Sequence, residues 1–459
     1  MARDFMQMYK DKLQTAAEAA KIVESGDWID YAMFNGKPVA FDAALAERKA
    51  ELSDVKLMTA VTVPPIPQTV MQDVQGEVFT WLDLHFSAAT RIMQQMCGGV
   101  FYHPVTYGES DNFFRFVHDD PIKSQNTARK ACIVRTTPMD KHGFFNFGIH
   151  NSVTYSQLES AQYAVVEINE NIPWAYGGNR ERIHISDVDI IIESENDPLF
   201  ELANPEPTET DMKIAHNVLD FIRDGDCVQL GIGAMPNSLG KMIAETDLKN
   251  LSGQTEMLVD AYMDLVESGK MNGKYSLTDT NRVVYTFALG GRHLYEWIDH
   301  NPGIASYEVY YANHPLRISS IDNLISVNQC LQVDLYGQVN AESNGFQQVS
   351  GNGGMTDFVN AAYWSKGGRS MICLPSTHTK KDGTVVSRIV PFFEHGTIVT
   401  IPRQTAHMIV TEYGVAALKA NCTWVRAEKL INIAHPDFRD ELIKHAQNQK
   451  IWRRSNKIE

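Results

Sequence analysis

Short apolar runs and amphipathic stretches alternate along this chain in an order that predicts helices interleaved with strands. Thr15-Ala16-Ala17-Glu18 is a capping box, in which a threonine hydroxyl and a glutamate satisfy the free backbone N–H groups of a helix start, and the helix is expected to run to Gly26. Trp28 to Met33 then reads as a strand, Asn35-Gly36-Lys37-Pro38 as a turn, Ala43 to Leu52 as a second helix and Lys56 to Val63 as a second strand. This β-α-β order is the signature of a parallel sheet covered by helices.

The order recurs. A helix from Thr210 through Ile214, Val218 and Ile222 stops at Asp224-Gly225-Asp226, and Asp226 lies 199 residues after Asp27. The same offset carries Leu57, at the head of an apolar strand, to Glu256 at the head of Glu256-Met257-Leu258-Val259-Asp260. Gly143 to Asn146 parallels Gly337 to Asn340, and Asp189 to Glu193 parallels His407 to Glu412. The expected architecture is therefore α/β, two tandem related open domains with mainly parallel sheets covered by helices. Pro198, Pro205 and Pro207 make Glu193 to Thr210 a linker, which puts the boundary near Asn204 and the domains at 1–203 and 204–459. Pro64 to Thr127 has no counterpart in the second half and is rich in aromatics, among them Phe79, Trp81, Phe86, Phe101, Phe113, Phe114 and Phe116. It reads either as an extra helical layer with its own core or as a wall or lid over a substrate site.

Composition narrows the function. With 459 residues the chain is too long for one core. Its 41 basic against 56 acidic side chains, a net charge of −15, argue against a nucleic-acid groove or an anionic membrane as partner, because both require clustered cations. The six cysteines are scattered without a C-x-x-C pair, which suggests reduced thiols in a cytoplasmic protein and no metal cluster. No window reaches the ~18 consecutive apolar residues of a membrane span. Asp4 and Asp11 interrupt the N-terminal apolar residues, unlike a secretory leader.

Three local features carry chemistry. Leu230-Gly231-Ile232-Gly233-Ala234-Met235-Pro236-Asn237 joins a strand (Cys227 to Leu230) to a helix expected over Ser238 to Glu245. Such a turn exposes N–H groups that hold a phosphate or an oxyanion, or else is simply a turn that needs a positive φ. Pro236 in place of the third glycine spoils a dinucleotide fingerprint, and no Gly-Lys-Ser/Thr follows to make a P-loop. Glu256 is a charge present in one half only, since its counterpart by the 199 offset is Leu57. Ser350-Gly351-Asn352-Gly353-Gly354-Met355-Thr356-Asp357 is a second glycine-dense helix entry, either a structural loop or a source of further oxyanion donors. His85, His142, His150, His184 and His407 stand singly and read as structural, while Lys366, Arg369, Lys380 and Lys381 are the nearest cations for a ligand phosphate.

Taken in order, D-G-D, G-I-G-A-M-P-N, T-E-M-L-V-D, L-Y-G-Q-V-N-A-E-S, S-G-N-G-G-M-T-D-F, V-T-E-Y-G-V-A-A-L and A-H-P-D-F-R resemble the acetyl-CoA hydrolase/transferase family, nearest its butyryl-CoA:acetate and 4-hydroxybutyrate CoA-transferase branch, from about Thr15 to Asp440. The resemblance implies two domains of the CoA-transferase fold, with acyl-CoA in the cleft between them, and a homo-oligomer. It implies Glu256 as catalytic nucleophile, a CoA-binding and oxyanion loop at Gly231, Ile232, Gly233, Ala234 and Met235, and further CoA contacts at Leu331 and Gly354. The reaction implied is ping-pong exchange of CoA between a short-chain acyl-CoA and a carboxylate through a glutamyl-CoA thioester, with no metal or organic cofactor. An acyl-CoA hydrolase on the same fold is the alternative, and a non-catalytic CoA-binding protein a remoter one. Because the nucleophile must be ionised, the Glu256 carboxyl is expected to titrate near its ordinary value.

Overall fold

A computed structural model describes residues 4–115, 128–178, 180–276 and 279–453. The chain divides into two compact units, Met1–Leu202 with Val284–Ala312 and Ala203–Val283 with Asn313–Glu459. A contiguous C-terminal domain beginning at 204 therefore departs from the structure at Val284–Ala312, which pack with the first unit. Backbone bonds explain the attachment: Ser152 N–H donates to Thr286 O, Ala288 N–H to Ile149 O and Val309 N–H to Ser152 O. Periodicity along the chain carries no trace of such an excursion.

The first unit is built on an eight-stranded sheet whose strands are β1 (Leu13–Gln14), β2 (Trp28–Tyr31), β3 (Val55–Thr59), β4 (Phe79–Asp83), β5 (Val100–Tyr102), β6 (Arg129–Thr136), β7 (Ala161–Ile168) and β8 (Ile190–Glu193). Their spatial order is β1-β8-β7-β6-β2-β3-β4-β5, and every pairing is parallel. The second unit carries a six-stranded sheet of β9 (Cys227–Leu230), β10 (Ser252–Gly253), β11 (Leu324–Gln329), β12 (Arg369–Cys373), β13 (Met408–Thr411) and β14 (Gly414–Ala417). Its order is β10-β9-β11-β12-β13-β14, parallel except for the β13–β14 pair. The five strands β3-β2-β6-β7-β8 and β10-β9-β11-β12-β13 follow one order, so the duplication is structural. Central strands such as Cys132-Ile133-Val134 and Met371-Ile372-Cys373 are fully buried runs, as expected where helices cover both faces of a parallel sheet.

Register corrects the alignment of the halves. Trp28 pairs with Lys56, but its counterpart Cys227 pairs with Ser252, so 199 falls to 196 across this crossover (252 against 56). Glu256 then corresponds to Ala60 rather than Leu57; it lies beyond the end of the edge strand β10 and, as expected, directly heads a short strand, Met257–Leu258, which is not part of the six-stranded sheet. It remains a charge on one half only.

As far as residue 115, the aromatic segment does not build a core of its own. It supplies β4 and β5 to the sheet edge, and Phe79, Trp81 and Phe86 enter the core beside Tyr31 and Phe41. Phe113 and Phe114 flank the Arg129 guanidinium, whose Nε is 2.9 Å from the Asp30 carboxylate in a fully buried pair, while Phe116 lies outside the described residues. The Thr15 capping box forms, with the helix Ala16–Ala19 continuing as a 3-10 turn only to Ile22. The second helix begins earlier than expected, at Ala40, because the buried Glu167 carboxylate from β7 accepts the N–H groups of Val39, Ala40 and Phe41 at its N-terminus.

Candidate active site

In the second unit, β9, β10 and β11 release their chains at the same end of the sheet, the carboxyl end where ligands of open α/β sheets bind. After Leu230 the chain turns through Gly231, Ile232 and Gly233 into a helix, Ala234–Glu245. The helix starts four residues earlier than expected. Pro236 is tolerated there because a first-turn N–H has no intrahelical acceptor to lose.

The two glycines of the turn have different causes. Gly233 has φ +109°, a conformation L side chains rarely adopt. Gly231 needs neither an unusual φ nor space, since an added Cβ would meet only Val327 O at 3.8 Å. What its missing side chain leaves is open room for a ligand to approach the backbone. Ile232 is 38% exposed, Gly231, Gly233 and Ala234 are partly exposed, and Met235 is buried.

Glu256 stands between β10 and the helix Asp260–Glu267, partly buried. Asn313 Nδ2 donates to Glu256 Oε2 at 2.6 Å, and the Gly354 N–H donates to the same carboxylate. Gly354 precedes the helix Met355–Trp364 with φ −91° and ψ 9°, backbone any residue can adopt. Its need for glycine is spatial, because a Cβ there would overlap Glu256 Oε2 and Asn313 Nδ2. Removal from water raises the Glu256 carboxyl to about 7, against the pull of the Asn313 and Gly354 donors, which favour the ionised form. This overturns the expectation of an ordinary carboxyl value. The physical reason is that two neutral donors offset only part of the cost of placing a charge in a largely enclosed position.

Leu331 lies just past β11, where its N–H already donates to Asn340 O at 2.8 Å, leaving its carbonyl and side chain for contact. The suggested cations divide. Arg369 is committed inside the unit, with Nη2 on Asp226 Oδ1 at 2.6 Å and Nη1 on Phe221 O. Lys366 faces Asp322 at 3.6 Å, and Lys380 and Lys381 sit exposed at the turn of the hairpin Thr377–Ser387. His85, His150 and His407 are each held well toward the neutral form, at about 4, by burial.

Residues 1–200 match the acetyl-CoA hydrolase/transferase N-terminal domain and residues 290–446 its C-terminal domain. The chain is also 44% identical, over the full length of both, to a probable butyrate:acetyl-CoA coenzyme A-transferase of Syntrophomonas wolfei. The chain belongs to the acetyl-CoA hydrolase/transferase family.

Within that family it is 36% identical to a 4-hydroxybutyrate coenzyme A transferase of Clostridium kluyveri, over 96% of this chain and 98% of that one. Among solved structures, RipA from Yersinia pestis superposes with a TM-score of 0.86 at 32% identity, covering 98% of this chain and 100% of RipA. Acetyl-CoA hydrolases are further away: that of Kluyveromyces lactis is 28% identical over 54% of this chain.

The fold thus brings Glu256 and Gly354 into contact and sets the Gly231 loop and Leu331 on neighbouring strand ends. Sequence reasoning missed Asn313, because its partner is 57 residues away in the chain and nothing in Asn313-His314-Pro315 marks the side chain as a carboxylate ligand. It also missed Gln329, whose Nε2 donates to Ile232 O at 2.9 Å. Both lie at element ends that only the structure shows, Asn313 closing the helix Val309–Asn313 and Gln329 closing β11.

Proposed function

We propose that this protein exchanges CoA between a short-chain acyl-CoA and a carboxylate, with Glu256 as nucleophile. The observation that carries the reading is a carboxylate held by two neutral donors, Asn313 Nδ2 and the Gly354 N–H. A carboxylate oxygen of Glu256 attacks the thioester carbonyl, the C–S bond breaks, and CoA leaves as thiolate from a mixed anhydride. The thiolate then attacks the glutamyl carbonyl carbon, expelling the first carboxylate and leaving a glutamyl-CoA thioester. An incoming carboxylate reverses both steps. One thioester replaces another, so no redox or metal chemistry is called for.

Each addition creates an oxyanion. When the thiolate adds to the glutamyl carbon, the charge develops on an oxygen of Glu256 itself, where Asn313 Nδ2 and the Gly354 N–H are already placed. When Glu256 adds to the substrate, the N–H groups of the Gly231–Met235 turn are the available donors, at about 3 kcal/mol each.

Incubation with butyryl-CoA in the absence of an acceptor tests this. The expected product is a CoA adduct in the intact mass that borohydride reduces at Glu256; release of thiol without an acceptor makes the enzyme a hydrolase instead. An acceptor panel of acetate, propionate, butyrate, 4-hydroxybutyrate and succinate then ranks the substrates. The similarity to butyrate- and 4-hydroxybutyrate-type transferases supports short-chain monocarboxylates at the head of that ranking.

Because ionised Glu256 is the attacking form and its carboxyl titrates at about 7, kcat/KM is expected to fall about tenfold per unit as pH drops below 7. Asn313→Ala removes a bond to the ionised form, so the acid limb shifts upward. A limb that stays at the same pH in Asn313→Ala argues against this assignment.

A further inference from the structure

We propose that Gln329 is a positioning residue, whose carboxamide orients the Ile232–Gly233 peptide so that the N–H groups of the turn face the reacting thioester; this rests on the reading of the turn given above. The ladder between β9 and β11 ends at the pair Leu230 and Val327, because the chain leaves the sheet at Gly231. Two residues further along each strand, Gln329 lies level with Ile232. Its side chain supplies the donor that the backbone no longer provides, Nε2 to Ile232 O at 2.9 Å.

Such an anchor has a job here. Ile232 is flanked by Gly231 and Gly233, and glycine allows the intervening peptides to rotate at little cost. Ile232 itself is 38% exposed, so its packing restrains the turn only in part. In a trans peptide the C=O and N–H point in opposite directions, so fixing Ile232 O also fixes the direction of the Gly233 N–H. Gln329 is itself exposed at the strand end, where a merely structural glutamine has little to stabilise.

The test compares two variants with the wild type in single-turnover formation of the Glu256 adduct from butyryl-CoA and in steady-state exchange with acetate. Gln329→Met keeps the length and removes the donor; kcat and the adduct rate are expected to fall about tenfold or more, with the melting midpoint within about 2 °C of wild type. Gln329→Lys retains a donor at similar reach and is expected to recover to within about threefold of wild type. In crystals of Gln329→Met the Ile232–Gly233 peptide should occupy more than one orientation. A wild-type rate in Gln329→Met, equal losses in Met and Lys, or an unchanged single peptide orientation overturns the inference while leaving the proposed function standing. Absence of any adduct in the wild type overturns the function itself.

Discussion

In the Glu256→Ala protein, CoA exchange is expected to fall by about 10⁴-fold or more, with no covalent adduct on exposure to acyl-CoA. The groups bonded to the carboxylate do not replace it: Asn313 Nδ2 and the Gly354 N–H are not nucleophiles at neutral pH. The same substitution removes an ionisable group from a largely enclosed position, so the variant should fold, and its melting midpoint above pH 7 should equal or exceed that of wild type. The sign follows from the raised titration: a carboxyl at about 7 in the fold and near 4.3 unfolded opposes folding increasingly as pH rises through that window. Glu256→Asp is a finer probe. One methylene fewer withdraws the carboxylate from Asn313 and Gly354 by about 1.5 Å, and a displacement of that order costs about 10²-fold. Retention of adduct formation by Glu256→Ala would assign the nucleophile elsewhere.

Gly354→Ala has the second largest expected effect, a loss of about 10²-fold to 10³-fold in kcat. The new methyl would occupy the space of Glu256 Oε2 and Asn313 Nδ2, so the carboxylate must move and its two donors part. Backbone strain plays no part, because φ −91° and ψ 9° suit alanine. The clash with Glu256 makes the two sites non-additive. In a Glu256→Ala background the methyl meets less opposition, so Gly354→Ala should destabilise that variant less than it destabilises wild type. Equal thermal shifts in the two backgrounds would show that the glycine serves the loop and not the carboxylate.

Much of the architecture was legible because it rests on local or periodic signals. The Thr15 capping box depends on groups three residues apart, and the apolar runs of the central strands follow from burial on both faces. The duplication was visible for the same reason, as the repeated order of such elements. Its fine register was not, since the crossover from β9 to β10 is three residues shorter than that from β2 to β3 and only strand pairing reveals the difference. The aromatic segment misled because large apolar side chains signal burial without saying in which core; β4 and β5 joined the existing sheet.

At the site, glycines and a symmetry-breaking glutamate stand out in a linear reading because they violate the pattern around them. That much, with the α/β class and the family motifs, the chain determined alone. Only the tertiary structure decided that Gly354 must lack a side chain on account of Glu256, that Asn313 donates to that carboxylate, and that Gln329 holds the turn. The raised titration of Glu256 belongs to the same class of fact. Each depends on distances between residues dozens of positions apart and on how much water their packing excludes, and neither quantity is written in the spacing of residue types.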